Sequence, residues 1–196
     1  MKTDLHFGLN LSSIFTFYYN TNPVSENSLF EDYLLNLNLI KNKHHLSLGI
    51  LTGKGFVGDE HGGVLEFNYK WENNNKYALN GFRMSYSYSL FMNRKFDFKI
   101  DIDNYYRFFK TDLLRSTNMN LGDTYSNFTY SNISIENTIG YNFNYYIIGK
   151  FYVSQKFGLG ISNNIYKHDY NEYFEDYNSK TTGFCMHFLI SIGYDF

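Results

Sequence analysis

The chain has 196 residues, the length of one domain, and its 17 Lys+Arg against 19 Asp+Glu leave a formal net charge of −2. That balance offers nothing to a polyanion, so no nucleic-acid partner is expected. An aromatic content of 21%, with a single Pro, excludes a disordered or proline-rich chain.

The lone cysteine, Cys185, excludes an intrachain disulfide framework and any multi-cysteine zinc or iron–sulfur site. No run of 18 apolar residues is present, so no transmembrane helix is expected. The start, Met1-Lys2-Thr3-Asp4, lacks the apolar core of a signal peptide; an exported chain would have had that segment removed. Tyr and Phe favour strands, and the abundant Asn, Ser and Gly favour turns, so the composition points to an all-β protein.

Period-2 alternation confirms that direction along the chain. It runs through Leu5, Phe7, Leu9, Leu11, Ser13, Phe15, Phe17 and Tyr19, then Leu35, Leu37 and Leu39, then Leu46, Leu48 and Ile50. It returns at Leu65, Phe67, Tyr69 and Trp71, at Phe82, Met84, Tyr86, Tyr88 and Leu90, and from Phe96 through Ile100 and Ile102 to Phe108. The last three runs are Ile133 to Tyr145, Phe151 to Ile161, and Phe184 to Phe196. No Asp, Glu, Lys or Arg falls on the apolar phase of these nine runs. The interleaved phase carries eleven: Glu66, Lys70, Arg83, Asp97, Lys99, Asp101, Asp103, Arg107, Glu136, Lys156 and Asp195.

Two architectures bury one face of every strand. A soluble sandwich or barrel puts the apolar face inside; a transmembrane barrel turns it to lipid and keeps polar groups in the lumen. The polar phase is rich in small uncharged residues such as Gly8, Ser12, Ser47, Gly49, Ser85, Ser87, Gly140, Ser154, Gly158 and Gly160. A soluble outer face would carry more Lys and Glu, whereas a narrow lumen needs small side chains and a few charges that pair. Runs such as 5–19, 96–108 and 184–196 exceed the roughly 5–6 residues of an ordinary strand and cover the roughly 9–11 needed to cross a bilayer. Aromatic residues gather near run ends, as interfacial girdles do. The expected fold is a transmembrane antiparallel up-and-down β-barrel in a single domain, 1–196.

The closing stretch 184–196, ending Gly193-Tyr194-Asp195-Phe196, resembles the last strand of small bacterial outer-membrane β-barrel proteins of the bacteroidete type. The stretches 43–49 and 79–88 resemble the same group. The resemblance implies a bacterial outer membrane, contact with its lipid and lipopolysaccharide, and Tyr194 and Phe196 as an assembly signal read by the barrel-assembly machinery. The usual glycine five residues before the terminal aromatic is Ser191 here, with glycine at 193. Other outer-membrane proteins are further candidate partners, and no cofactor is implied.

Closed bacterial barrels have even strand numbers. Nine runs therefore reduce to eight strands if 53–76 is one long excursion containing the 65–71 run; ten is the alternative. Stretches 20–32, 53–76, 110–124 and 167–181 read as extracellular loops, and 41–44, 91–95 and 142–150 as periplasmic turns.

The candidate chemistry lies on the polar phase. Arg83, Lys99, Asp101, Asp103, Arg107 and Glu136 form a lumen charge cluster, either a constriction in a pore or salt bridges that fill a small barrel. The near balance of sign from Asp97 to Arg107 leads us to expect pairing along that strand and little ion flow. His45 and Ser47 resemble the His-x-Ser pair of outer-membrane lipid A deacylases, in which His activates Ser, but no acidic partner is placed by the sequence. Cys185 and His187 share the polar phase of the last strand, yet no further ligand can be identified, so a buried lumen thiol is expected and no metal site. The acidic, aromatic stretch 168–180 lacks calcium-loop spacing. Gly53-Lys54-Gly55 lacks that of a phosphate loop, and the Asn127 and Asn132 sequons are what an Asn-rich chain yields by chance. The expected function is a non-enzymatic outer-membrane barrel (structural, adhesive or accessory) that binds through its loops. A narrow transport pore and a lipid-modifying enzyme are the alternatives.

Overall fold

A computed structural model describes residues 5–20, 29–56, 76–119, 122–170 and 177–196. They form eight strands: β1 (Leu5–Asn20), β2 (Leu29–Lys41), β3 (His44–Phe56), β4 (Lys76–Met92), β5 (Phe96–Met119), β6 (Gly122–Ile148), β7 (Phe151–Tyr170) and β8 (Tyr177–Asp195). Each strand pairs antiparallel with its neighbour in sequence, and β8 returns to β1, closing the barrel. Closure leaves no sheet edge along the barrel wall, the condition for a sheet to cross lipid. The 65–71 run lies outside the described residues.

Three tight turns lie at the end where β1 begins and β8 finishes. Asn42-Lys43 and Gly149-Lys150 are two-residue turns, each with its first residue at a φ of 58°. Only Gly and a few polar residues, Asn foremost, adopt that left-handed conformation readily, so these two positions fix where the hairpins reverse. In the third turn Asn93 Oδ1 accepts hydrogen bonds from the backbone N–H of Lys95 and Phe96, both at 2.8 Å.

The strands end differently from what hydrophobic alternation implies. Stretch 110–124 is not a loop: β5 and β6 stay in register from Lys110↔Ser131 to Met119↔Gly122. Stretch 167–181 is likewise largely strand, in β7 and β8. β4 accompanies β5 only to Phe109, and β7 accompanies β6 only to Phe128. The β5–β6 hairpin therefore loses β4 first and β7 four pairs later, and from Leu114↔Asn127 to Met119↔Gly122 it stands beyond the barrel wall as a two-stranded ribbon of six residue pairs, about 20 Å along the strand. Apolar alternation fades there because no lipid selects for it, while backbone pairing continues.

The two faces of the wall are inverted relative to a soluble protein. Ile50, Ile102 and Ile139 point outward and are 73%, 51% and 61% exposed. Asp101, next to Ile102 in the chain, points inward and is 0% exposed. Around the turn end, outward aromatic rings form a belt. Phe96 packs on Tyr145 at 5.3 Å between centroids, Tyr141 on Phe157 at 5.8 Å, and Tyr194 on Phe196 at 5.4 Å. An apolar outer band edged by aromatics, around a polar interior, suits hydrocarbon bounded by headgroups and suits water poorly.

Candidate functional site in the barrel lumen

The inward phase of the strands delivers charged residues to one buried interior, arranged in tiers along the axis. Near the turns, His45 Nε2 lies 3.0 Å from Ser89 Oγ and 3.7 Å from Asp97 Oδ2, while Lys99 Nζ stands 3.4 Å from the same Asp97 oxygen. Ser47 Oγ donates instead to Asn38 Oδ1 at 2.6 Å. The geometry therefore does not bring His45 and Ser47 together. Nor do His45, Ser89 and Asp97 make a relay, since serine and carboxylate both approach the same imidazole nitrogen rather than opposite ones. A polar cavity of about 30 Å³ lies in this tier, lined by Asn10, Asn38, His45, Lys99, Asn144 and Tyr152 among others. It has room for one or two water molecules, not for a conduit.

In the middle tier Arg83 donates through Nε and Nη2 to Asp103 Oδ1, at 3.0 and 2.6 Å, and through Nη1 to Asn36 at 3.2 Å. Lys156 Nζ stands 2.6 Å from both Asp101 Oδ2 and Asp103 Oδ2. In the third tier Arg107 donates to Asp32 Oδ2 at 3.0 Å and Thr16 Oγ1 at 3.0 Å, and also to Glu136. Ser134 Oγ donates to the other oxygen of Glu136 at 2.9 Å. The Tyr105 ring sits between the two guanidiniums, its centroid 5.7 Å from Arg83 Cζ and 4.9 Å from that of Arg107. Its π face thus stabilises both cations while keeping them apart.

Charges that neighbour each other along β5 mostly do not pair with each other. Among the described side chains Lys99 and Asp97 do so; Asp101, Asp103 and Arg107 take partners from β2, β4, β6 and β7. Arg83 and Glu136 reach β5 diagonally from the strands paired with it, whereas Asp32 of β2 and Lys156 of β7 reach it through the lumen, which closure of a narrow barrel makes short.

Three features were not legible in the alternation. Asp32 falls in stretch 20–32, which reads as a loop, yet it is fully buried and holds Arg107. Lys156 is the lone charge on the inward phase of the 151–161 run, so nothing in its own strand marks its partners. Finally, an apolar patch stands among the polar lumen residues. Ile14 pairs with Leu189 across β1–β8, and Leu34 with Leu51 across β2–β3, all four buried. This patch lies beside the Arg107 tier: Ile14 is paired with Asp32 across β1–β2.

Inward glycines let strands and side chains meet across β7. Gly160 comes so close to β6 that an added Cβ would lie 1.9 Å from the Asn137 carbonyl oxygen, whereas one on Gly158 would first meet the movable Thr138 hydroxyl at 3.2 Å. Gly160→Ala is therefore expected to destabilise the folded barrel by about 1–3 kcal/mol and Gly158→Ala by less, read as shifts in the urea midpoint. Equal shifts would contradict this difference in packing. With no side chain at 158 or 160, Glu136 of β6 meets His187 of β8, whose Nε2 lies 2.7 Å from Glu136 Oε2. Cys185, two residues from His187 on the same inward phase, completes a buried cluster whose donor atoms all lie within 4.8 Å of one another.

No family model and no curated protein matches this sequence. Among solved structures, Neisserial surface protein A superposes with a TM-score of 0.51 at 8% identity, over 97% of this chain and 97% of that one. A major outer membrane protein from Thermus thermophilus overlaps at a TM-score of 0.49 and 10% identity, over 98% of this chain and 99% of that one. Closed, eight-stranded and antiparallel throughout, the chain has the fold of the outer-membrane β-barrels.

Proposed function

We propose that this chain is a bacterial outer-membrane barrel without a transport path or catalytic centre, whose working surface is the end opposite the tight turns. The observation that carries this reading is the contrast between a filled lumen and a β5–β6 ribbon standing beyond the wall. Inside, Arg83, Lys99, Arg107 and Lys156 are each engaged by carboxylates and almost fully buried. An ion crossing the barrel would have to part these pairs and pass the apolar patch, both costly at low dielectric. Outside, the ribbon spends residues 114–127 on structure that the barrel does not need for closure. In such barrels the termini and short turns face the periplasm and the longer segments face outward. The ribbon then reaches past the lipopolysaccharide headgroups, suited to an adhesive or accessory role toward other surface molecules. Tyr194 and Phe196, outward-facing at the end of the chain, fit the role of assembly signal.

The test has two arms. Purified protein in planar bilayers should show no reproducible single-channel steps. A variant in which residues 114–127 are replaced by a two-residue turn joining the paired Leu113 and Phe128 should still fold, keeping its heat-dependent shift on gels, while losing surface cross-links made by the full-length protein in intact cells. Stable conductance steps would promote the pore reading. Unchanged cross-links would remove the ribbon from the binding surface.

A further inference from the structure

We propose that Glu136, Cys185 and His187 form a buried site for a thiophilic divalent cation, zinc above all. The three residues offer one carboxylate oxygen, one thiolate sulfur and one imidazole nitrogen, the donor types of tetrahedral zinc. All three are buried, and their donor atoms lie within 4.8 Å of one another. Ligands around tetrahedral zinc stand about 3.5 Å apart given metal–ligand distances of about 2.0–2.3 Å. A side-chain shift of about an ångström therefore closes the set.

A second observation points to the same place. His187 is 0% exposed, its Nε2 lies 2.7 Å from Glu136 Oε2, and its Nδ1 has no hydrogen-bond partner among the described residues. A buried imidazole in this condition is disfavoured unless something else takes its lone pair. Glu136 is correspondingly well held. Arg107 and Ser134 donate to its two oxygens, the supporting arrangement that orients a carboxylate ligand. The Tyr105 ring packs edge-on to His187 at 4.4 Å and restricts the imidazole's rotation.

Charge does not oppose the cation. Arg107 faces two carboxylates, Asp32 and Glu136. A divalent ion that displaces the Cys185 proton adds one net positive charge to that group. Sulfur and imidazole together select zinc, or cobalt as its spectroscopic substitute, over calcium and magnesium, which require oxygen ligands. With three protein ligands the fourth position falls to water. In a site this buried, the ion acts as a staple between β6 and β8 across β7.

The whole chain should be refolded from urea into detergent with cobalt chloride, because a buried site loads most readily during folding. After desalting we expect one cobalt per chain and a thiolate-to-cobalt charge-transfer band. Cys185→Ser should abolish the band and reduce retained cobalt at least tenfold, while keeping the gel-mobility shift that marks a folded barrel. His187→Gln should also reduce retained cobalt. Should either variant fail to fold, wild-type protein loaded with zinc decides the matter by X-ray absorption, which should report one sulfur neighbour at the metal. Less than stoichiometric metal in folded wild type, equal retention by folded Cys185→Ser, or a zinc shell without sulfur would each overturn the proposal.

Discussion

Arg107→Leu is expected to be the most damaging single change inside the barrel. The guanidinium is 1% exposed and holds Asp32 from β2 and Glu136 from β6, both fully buried. Removing it takes the shared cation from two like charges in a low-dielectric interior, where loss of one partner of a buried ion pair costs about 3–5 kcal/mol. It also removes the hydrogen bond to Thr16 and the cation over the Tyr105 ring. We expect a large fall in urea midpoint and loss of the heat-dependent gel shift at temperatures where wild type keeps it. The triple variant Arg107→Leu, Asp32→Asn, Glu136→Gln separates charge from volume. If stranded charge is the cause, neutralising both acids should recover most of the loss, as when buried ion pairs elsewhere are replaced by neutral groups. If the triple variant is as unstable as the single one, the damage comes from lost packing and the electrostatic account fails.

The same tier shows why part of the lumen was legible in the sequence and part was not. Alternation assigns each residue to a face, because side chains on a strand switch sides at every step. That suffices to place Arg83, Lys99, Asp101, Asp103, Arg107 and Glu136 on one phase, and it does not depend on knowing which strands are adjacent. Pairing across the lumen does depend on it. Asp32 and Arg107 are 75 positions apart, and their meeting requires closure, tilt and register, none of which is encoded locally. The Glu136–Cys185–His187 cluster is invisible for the same reason: its members come from β6 and β8, which are not paired. The ribbon was misread as loop on other grounds. Beyond the bilayer no apolar phase is needed, so the signal that marks a membrane-crossing strand stops at the lipid boundary while the backbone pairing does not. Ile14, Leu34, Leu51 and Leu189 break the pattern in the opposite sense, as apolar residues on the polar phase. Any one of them looks like noise until the fold sets Ile14 against Leu189 and Leu34 against Leu51.

Ile102→Arg is expected to destabilise the barrel by about 2–4 kcal/mol in a bilayer, the cost of a cation on the lipid face near the midplane. Ile102 is paired with Ile139 on β6, and both point outward midway along the wall. In water the same substitution at a half-exposed position would change stability by no more than about 0.5 kcal/mol, as surface changes usually do. The sign and size of the effect therefore report the solvent around the barrel, not merely its shape. Depth supplies an internal control. Ile148 is 78% exposed beside the Gly149 turn, at the level where headgroups begin, and Ile148→Arg should cost only about 0–1 kcal/mol. Refolding into vesicles across a urea series measures both. A complementary readout is Ile102→Cys in a Cys185→Ser background, challenged with a thiol reagent that partitions into the hydrocarbon or with one confined to water. Modification from the lipid phase alone is the expected result. Modification by the aqueous reagent in a folded protein, or equal costs for the two arginine variants, would mean that the apolar band faces something other than lipid, and the outer-membrane reading would fall with it.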